Sequence, residues 1–319
     1  MPKKIILAII SVFCVLSLCS CTKNEKVTKT EFCLDTLVTI TSYGENAEAA
    51  TDAAIDEIKR TESVFSPFLE GSELYKINQN AHLGYEISDE MKKVLKEALR
   101  VCELTGGAFD ITLKPLSDLW NIKSENPVVP PKEKIEEAKS KVGYENVEIS
   151  GNVITFKKEG IALDLGGAIK GYAADRAAEI LKSYGIKNAI LDLGGNIYAL
   201  GKSEKGKAWR IGLQDPSKER GEFFKAIELS NSSCVTSGSY ERYFENNGKI
   251  YHHIIDRSTG YSADAGLISV SVIGKSSFEA DMLSTAIFVM GEEKFEKIRD
   301  NFSIEKYVTV DKNNHFKER

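Results

Sequence analysis

Apolar positions along the chain follow two spacings, one typical of helices and one typical of strands. Apolar residues three or four apart predict helices over 47–63, 88–104, 132–142, 168–184, 278–290 and 292–301. Alternating or short apolar runs predict strands over 37–42, 161–165, 189–200 with a break at 194–195, 209–213, 224–229, 233–237, 250–255, 265–273 and 305–310, and a strand pair around the turn at 150–152. Strands outnumber helices and do not alternate regularly with them, which favours an α+β class over a doubly wound sheet.

The first residues have the pattern of a bacterial lipoprotein signal peptide. Lys3 and Lys4 precede an apolar run that ends in Leu18-Cys19-Ser20-Cys21. This ending resembles a lipobox, in which cleavage before the last cysteine leaves that cysteine as the lipid-bearing N-terminus. A transmembrane helix is the alternative, but the run is shorter than the roughly 20 apolar residues that a span needs. We therefore expect Cys21 to be lipidated and the mature chain to face the extracytoplasmic side of the cell membrane.

These assignments divide the chain into three parts. We expect a signal peptide over 1–20, a lipidated cysteine and short tether over 21–30, and a single catalytic domain over 31–319. The formal net charge is −5 and becomes −7 when the two lysines leave with the signal peptide, so nothing indicates nucleic-acid binding. Cys33, Cys102 and Cys234 remain in the body, an odd number that gives no self-contained disulfide framework, although one pair could still form outside the cell. No C-x-x-C spacing indicates a zinc site.

The segment 164–175 has the features of a ligand site. It consists of Asp164-Leu165-Gly166-Gly167-Ala168-Ile169-Lys170-Gly171-Tyr172-Ala173-Ala174-Asp175, so two glycines stand between a predicted strand and a predicted helix. A helix start presents backbone N–H groups to an anion, and Lys170 adds a cation. The alternative, that the glycines only allow close packing, stays open on this segment alone. Neither a P-loop nor a Rossmann fingerprint is present.

The segment 107–110, Gly-Ala-Phe-Asp, suits a planar ring. Phe109 would stack on the ring and Asp110 would accept a hydrogen bond. The alternative, a helix cap followed by a core phenylalanine, is the stronger interpretation of this segment taken alone.

Asp281 and Thr285 stand four apart in a predicted helix and therefore share one face. Carboxylate and hydroxyl oxygens suit Mg²⁺, which takes few protein ligands and completes its shell with water and phosphate. A solvated acid beside a core threonine is the alternative. The apolar neighbours of Asp281 favour the ligand role, because an unpaired carboxylate is costly there.

Two adjacent histidines, His252 and His253, lie in a predicted strand, so their side chains point to opposite faces. Either could accept a hydroxyl proton near neutral pH, although a structural histidine is the stronger interpretation without further context. The hydroxyl-rich segment 236–243 is not G-x-S-x-G, and we reject a serine-hydrolase site there.

Together these segments resemble the FAD:protein FMN transferase family, often called ApbE, from about Phe32 to Val310. The ordered motifs that carry the resemblance are Leu34-Asp35-Thr36, Phe65-Ser66-Pro67-Phe68, Gly107-Ala108-Phe109-Asp110, Asp164–Asp175, Thr236-Ser237-Gly238, His253-Ile254-Ile255-Asp256 with Thr259-Gly260, and Asp281 with Ser284-Thr285-Ala286. Arg257 departs from the pattern, since proline usually follows the aspartate there. Leu34 stands where many relatives have methionine, and Ala168-Ile169 is a swapped pair.

The resemblance implies a mixed α/β fold with a T-fold-like core that binds FAD and Mg²⁺ and moves FMN onto a threonine or serine of another protein, releasing AMP. It implies an FAD site formed by Leu34, Phe68, Ala108, Phe109, Asp110, Asp164, Lys170 and Ile254. It implies a metal site formed by the Gly167 carbonyl, Asp281 and Thr285. By the same resemblance His253 is the general base, and Lys170 and Asp281 complete the catalytic set.

The resemblance also implies a partner. The acceptor would be a membrane redox-pump subunit or extracytoplasmic flavoprotein with a D-x-x-[ST]-G-[AS]-[ST]-like motif. Two other functions remain compatible with the sequence. The same site could hydrolyse FAD to FMN and AMP, or the chain could be a flavin-binding lipoprotein that leaves FAD intact.

Overall fold

The computed structural model describes residues 25–219 and 221–319, which form strands and helices in a mixed order. The strands are β1 (Glu25–Cys33), β2 (Thr36–Gly44), β3 (Tyr85–Glu86), β4 (Val147–Ser150), β5 (Val153–Phe156), β6 (Asn188–Leu193), β7 (Asn196–Leu200), β8 (Trp209–Gln214), β9 (Phe223–Leu229), β10 (Ser232–Gly238), β11 (Tyr243–Asn246), β12 (Lys249–His252), β13 (Ile255–Asp256), β14 (Tyr261–Ser262), β15 (Leu267–Gly274), β16 (Ile304–Asp311) and β17 (Phe316–Glu318). The helices are α1 (Ala47–Phe65), α2 (Glu73–Asn80), α3 (Asp89–Leu104), α4 (Lys114–Trp120), α5 (Lys132–Lys139), α6 (Ile169–Ser183), α7 (Ser277–Met290) and α8 (Glu292–Glu296). The predicted α+β class is confirmed.

An eight-stranded sheet organises the molecule, in the order β1-β2-β6-β7-β10-β15-β16-β17. Every neighbouring pair in it is antiparallel. One face carries helices: apolar residues of α1 and α6 pack on β1, β2, β6 and β7, and those of α7 pack on β10 and β15. On the other face the β8–β9 hairpin packs against Cys234 and Ile273. Because β-strand side chains alternate between faces, neighbouring residues of β7 contribute to both layers.

Local signals fix several element ends. Ser88 accepts a hydrogen bond from the Met91 N–H at 3.1 Å and so caps α3, as its position before an apolar stripe predicts. Gly194 and Gly195 both have positive φ and form the tight turn between β6 and β7. Among the described residues, no helix has the length and apolar character needed to cross a membrane. Cys33, Cys102 and Cys234 are buried and unpaired.

Four sequence-based expectations about elements need correction. Residues 161–165 are buried at alternate positions but form no strand, because their backbone partners are not a neighbouring strand. Leu163 instead exchanges two hydrogen bonds with the Asn78 side chain, and the Asp164 N–H donates to the Ile111 carbonyl. The strand predicted over 250–255 is interrupted at 253–254.

The third correction concerns the predicted tether. Residues 25–30 belong to β1, which pairs with β2 along its whole length, so the folded domain begins no later than Glu25. Residues 21–24, the signal peptide over 1–20 and the proposed lipidation position Cys21 lie outside the described residues.

The predicted helix over 292–301 is also shorter, since α8 is followed by a separate 3₁₀ turn at Arg299–Asn301.

Candidate active site

The crossing of α6 and α7 fixes one side of the candidate site. Gly171 lies at the closest approach: a Cβ atom placed on it would come within 2.2 Å of the Ser277 carbonyl oxygen and 2.8 Å of the Asp281 Cβ. Real Cβ atoms do not approach backbone oxygens so closely, so the crossing requires glycine here. The crossing thereby brings Asp281 of α7 to the first turn of α6.

Each of these two helices is capped by a carboxylate of the other. Asp281 Oδ2 accepts a hydrogen bond from the Gly171 N–H at 2.9 Å, where the N-cap residue Ala168 has no acceptor of its own. Asp175 of α6 accepts from the Ser277 and Phe278 N–H groups at 2.9 and 3.1 Å. Burial raises the pKa of Asp175, and these hydrogen bonds act against that increase. The reciprocal caps explain why both aspartates stand in apolar surroundings.

The predicted metal ligands meet at this crossing. A Cβ atom on Gly167 would lie 3.4 Å from Thr285 Oγ1, and Thr285 follows Asp281 by one turn of α7. Ser237 of β10 contacts the same turn, with its Oγ 2.7 Å from Ser284 Oγ and 3.3 Å from Thr285 Oγ1. One carboxylate, one hydroxyl and one carbonyl oxygen form a hard donor set, and such a set fits Mg²⁺ with water and phosphate as further ligands.

Asp164 and Lys170 shape the Gly166–Gly167 turn beside that donor set. Asp164 Oδ1 accepts from the Gly166 N–H at 2.8 Å, and Lys170 Nζ donates to the Gly166 carbonyl at 3.3 Å. Both side chains are partly exposed. The turn therefore presents a cation and the N-terminal end of α6 to the same region, which suits an anionic ligand.

Phe109 and Asp110 have roles different from the ring contacts that we expected. Phe109 is 4% exposed and belongs to the main core, with its ring edge facing Gly167. The Asp110 side chain is fully buried and accepts hydrogen bonds from Thr112 N and Oγ1 at 2.8 and 2.6 Å, and from Arg257 at 2.9 Å. In this conformation neither side chain can stack on or bond a ligand directly. Phe109 packs next to Gly167, which agrees with the core interpretation of the segment.

Arg257 occupies the space around Asp110. Its guanidinium lies against Gly107, where a Cβ atom would come within 2.2 Å of Nε, and it pairs with Glu145 at 2.7 Å. Hydrogen bonding to Glu145 is the main cause that raises the Arg257 pKa, and the same bond lowers the pKa of Glu145. The residue that replaces the usual proline thus neutralises a buried carboxylate.

A strained turn forms the other side of the site. Leu34 and Asp35 connect β1 and β2 with φ angles of 52° and 59°, a left-handed region that a leucine rarely adopts. The Leu34 side chain packs against both helix-covered cores. Asp35 pairs with Lys123 and, at 2.9 Å, with Arg242. Although burial raises the pKa of Asp35, the two cations together lower it by more. We call Leu34, Asp35, Lys123 and Arg242 the hairpin tip.

His253 is attached to the hairpin tip. Its backbone N–H and ring Nδ1 lie 3.1 and 3.3 Å from the Arg242 carbonyl, so the tautomer protonated at Nδ1 donates to it and leaves Nε2 as an acceptor. The residue as a whole is exposed to solvent. Desolvation by the surrounding protein, followed by the charge of Arg242, lowers the pKa of His253. His252 is buried and contacts the Ala263 carbonyl, as expected of a structural histidine.

The remaining predicted site residues differ in exposure. Phe68 is 67% exposed, and Lys114 lies over its ring at 4.5 Å, so this ring can still stack on a ligand. Ala108 is half-buried, whereas Ile254 is buried and its carbonyl accepts from Ala263. The sequence motifs assigned no role to Arg242 or Lys123. Arg242 stands within the hydroxyl-rich segment 236–243, but its partner Asp35 is 207 positions away.

Comparisons with known proteins identify the family of the chain. The model of the ApbE family matches residues 34–308. An FAD:protein FMN transferase of Haemophilus influenzae is 32% identical over 98% of this chain and 95% of its own length, and one of Vibrio cholerae is 35% identical over 79% and 77%. The crystal structure of the ApbE protein of Thermotoga maritima has a TM-score of 0.85 at 35% identity, covering 92% of this chain and 96% of that one. The chain belongs to the ApbE family.

Proposed function

We propose that this chain transfers FMN from FAD to a threonine or serine hydroxyl of an acceptor flavoprotein, with release of AMP. The observation that carries the proposal is the convergence of Gly167, Asp281 and Thr285 at the N-terminal end of α6, beside Lys170. Relatives that cover nearly the whole chain are named FAD:protein FMN transferases, which supports the same activity here.

The chain's own residues account for the requirements of such a transfer. The hydroxyl oxygen forms a bond to the FMN phosphorus, the bond between that phosphorus and the AMP phosphate oxygen breaks, and the hydroxyl proton needs an acceptor. His253, neutral near pH 7 because its pKa is lowered, offers Nε2 as that acceptor. Lys170 and the start of α6 attract the pyrophosphate. Asp281, Thr285 and the Gly167 carbonyl would hold Mg²⁺, which supplies charge neutralisation at the phosphates when bound.

We also propose that Cys21 carries lipid and tethers the domain to the extracytoplasmic side of the cell membrane. The support is the sequence pattern of residues 1–21. Globomycin treatment of producing cells should then leave the precursor uncleaved, and Cys21→Ser should release the domain from the membrane fraction.

Intact-mass spectrometry tests the activity. A recombinant acceptor domain with a D-x-x-T-G-A-T segment is incubated with FAD, Mg²⁺ and residues 22–319. A mass gain of one FMN residue together with free AMP is the expected result. An unmodified acceptor with free FMN and AMP would instead identify an FAD pyrophosphatase, and intact FAD would identify a flavin-binding lipoprotein.

A further inference from the structure

The face of the eight-stranded sheet opposite the helices, here called the outer face, is covered over only part of its width. The β8–β9 hairpin packs on the part formed by β7, β10 and β15. On β1 and β2 the same face carries threonines whose hydroxyls pair across the strands, Thr28 with Thr41 at 2.9 Å and Thr30 with Thr39 at 3.0 Å. Such hydroxyl pairs suit a face in contact with water.

The row of hydroxyl pairs ends in an apolar pair. Phe32 and Leu37 are the next cross-strand partners on this face, and they are 68% and 63% exposed. Single exposed apolar residues are ordinary, but two large ones directly opposite each other form a contiguous patch. Large contiguous exposed apolar patches, unlike scattered single residues, mark contact sites on soluble proteins. We call Phe32 and Leu37 the apolar pair.

The apolar pair adjoins the hairpin tip. Leu34 and Asp35 connect the two strands, and two extended residues place Leu37 about 7 Å along the chain from Asp35. Asp35 bonds Arg242, whose carbonyl contacts His253. The apolar pair therefore lies on the same β-hairpin as Asp35, and Asp35 is linked through Arg242 to His253.

We propose that the apolar pair is a docking contact for the folded acceptor protein. This inference rests on the proposed function, because only a protein acceptor requires a surface beside the site. Lys123 and Arg242 together outweigh the charge of Asp35, so the tip carries one excess positive charge. That charge complements the carboxylate of the expected acceptor motif, and the apolar pair adds area that is removed from water.

Two other occupants agree less well with the geometry. A lipid anchor at Cys21 would precede β1, and Phe32 lies seven residues beyond Glu25, or roughly 23 Å along the strand. The apolar pair is therefore at the end of β1 that is remote from a membrane tether. A second copy of this chain seated on the pair would bring a hairpin tip with the same excess positive charge, and like charges repel each other.

The test replaces both residues of the apolar pair by threonine, the residue found in the neighbouring cross-strand pairs of this face. In the variant Phe32→Thr/Leu37→Thr, we expect the KM for the recombinant acceptor domain to rise about tenfold or more, since buried aromatic contacts dominate such interfaces. We expect kcat at saturating acceptor, the Kd for FAD and the melting temperature to remain unchanged. Phe223→Thr, which removes a strand phenylalanine of similar exposure (61%), is the matched control and should leave KM unchanged.

Other results would overturn the proposal in distinguishable ways. If wild type transfers FMN but the double variant has the wild-type KM, the docking contact is wrong and the proposed function stands. If wild type sediments as a dimer and the double variant as a monomer, again with unchanged KM, the apolar pair is a contact between copies of this chain. If wild type transfers FMN to no acceptor, both proposals fail together.

Discussion

The helix crossing and the hairpin tip face the same candidate site, but opposite kinds of contact hold them in place. At the crossing, Asp281 is 3% exposed, and a glycine permits contact between backbones. At the tip, the side chains of Asp35 and Lys123 are more than half exposed and interact through ion pairs. Buried close packing contributes several kcal/mol, whereas exposed ion pairs contribute about 0 to 1 kcal/mol each.

This difference separates stability from activity. Substitutions of Gly171 and Asp281 at the crossing should change the free energy of unfolding and the transfer rate together, because these residues both pack the core and position the ligands. Substitutions at the tip should change transfer with little effect on stability. Strain in the turn at Leu34 fits this division, since strained residues persist where function requires them.

Gly171→Ala should have the largest effect on stability. The new Cβ atom would collide with the Ser277 carbonyl oxygen, and we expect a loss of about 3 kcal/mol, at the upper end for overpacking. Gly71→Ala is the matched control, since a Cβ atom added there would have no neighbour within 4 Å and its φ is not in the left-handed region. Urea unfolding of both variants measures the difference. Equal stability of the two would show that the crossing is not tightly packed.

Arg257→Ala tests an arginine that pairs with the exposed Glu145 and with the buried Asp110. Asp110 would lose its cation while its side chain stays fully buried but keeps its hydrogen bonds from Thr112, so we expect the free energy of unfolding to fall by about 2 kcal/mol. Arg100→Ala removes a guanidinium whose partners, Glu97 and Glu279, are both more exposed than Asp110, and it should cost only about 1 kcal/mol. Similar losses for both variants would mean that Asp110 does not depend on Arg257.

His253→Gln should lower kcat about 100-fold without a change in melting temperature, since the residue is exposed and we propose its ring as the general base. In wild type the lowered pKa keeps the ring neutral at pH 7. Activity should therefore persist as pH falls through 6.5 and decline only at lower pH. The pH dependence of kcat measures this, and an acid limb at or above pH 6.5 would contradict the assignment.

Asp35→Asn should have the smallest effect on stability. Asparagine tolerates the left-handed turn, and the lost ion pairs are exposed, so we expect less than about 1 kcal/mol in the free energy of unfolding. Transfer should fall several-fold, because Arg242 loses the partner that holds it next to His253. A stability loss above about 2 kcal/mol would show that the tip is as structural as the crossing.

The sequence correctly predicted those features of the fold that depend on interactions between residues close together in the chain. Ser88 caps α3 and Gly194-Gly195 turn the β6–β7 hairpin because each acts within a few residues. The pairing of Asp281 with Thr285 followed from helix periodicity alone. The convergence of both with Gly167 required the family resemblance, because no local pattern brings α6 to α7.

Contacts between distant residues explain what the sequence did not predict. Leu163 has a strand-like pattern, yet its partner is the Asn78 side chain, 85 positions earlier. The acidic character of Asp110 suggested a ligand contact, but Arg257, 147 positions later, binds that carboxylate. Residues 25–30 appeared polar enough for a tether because an edge strand exposes most of its side chains.

The most direct test of the site compares its two reciprocal caps. Asp281→Asn and Asp175→Asn each replace a capping carboxylate in the same helix crossing, and only Asp281 stands beside Thr285 and Gly167. We would measure FMN transfer to the acceptor domain by intact mass, per folded molecule, across a range of Mg²⁺ concentrations. We predict at least about a 1,000-fold loss for Asp281→Asn, with weakened dependence on Mg²⁺, and near wild-type transfer for Asp175→Asn. Equal losses in the two variants, or full activity in Asp281→Asn, would contradict the assignment of Asp281 as a metal ligand.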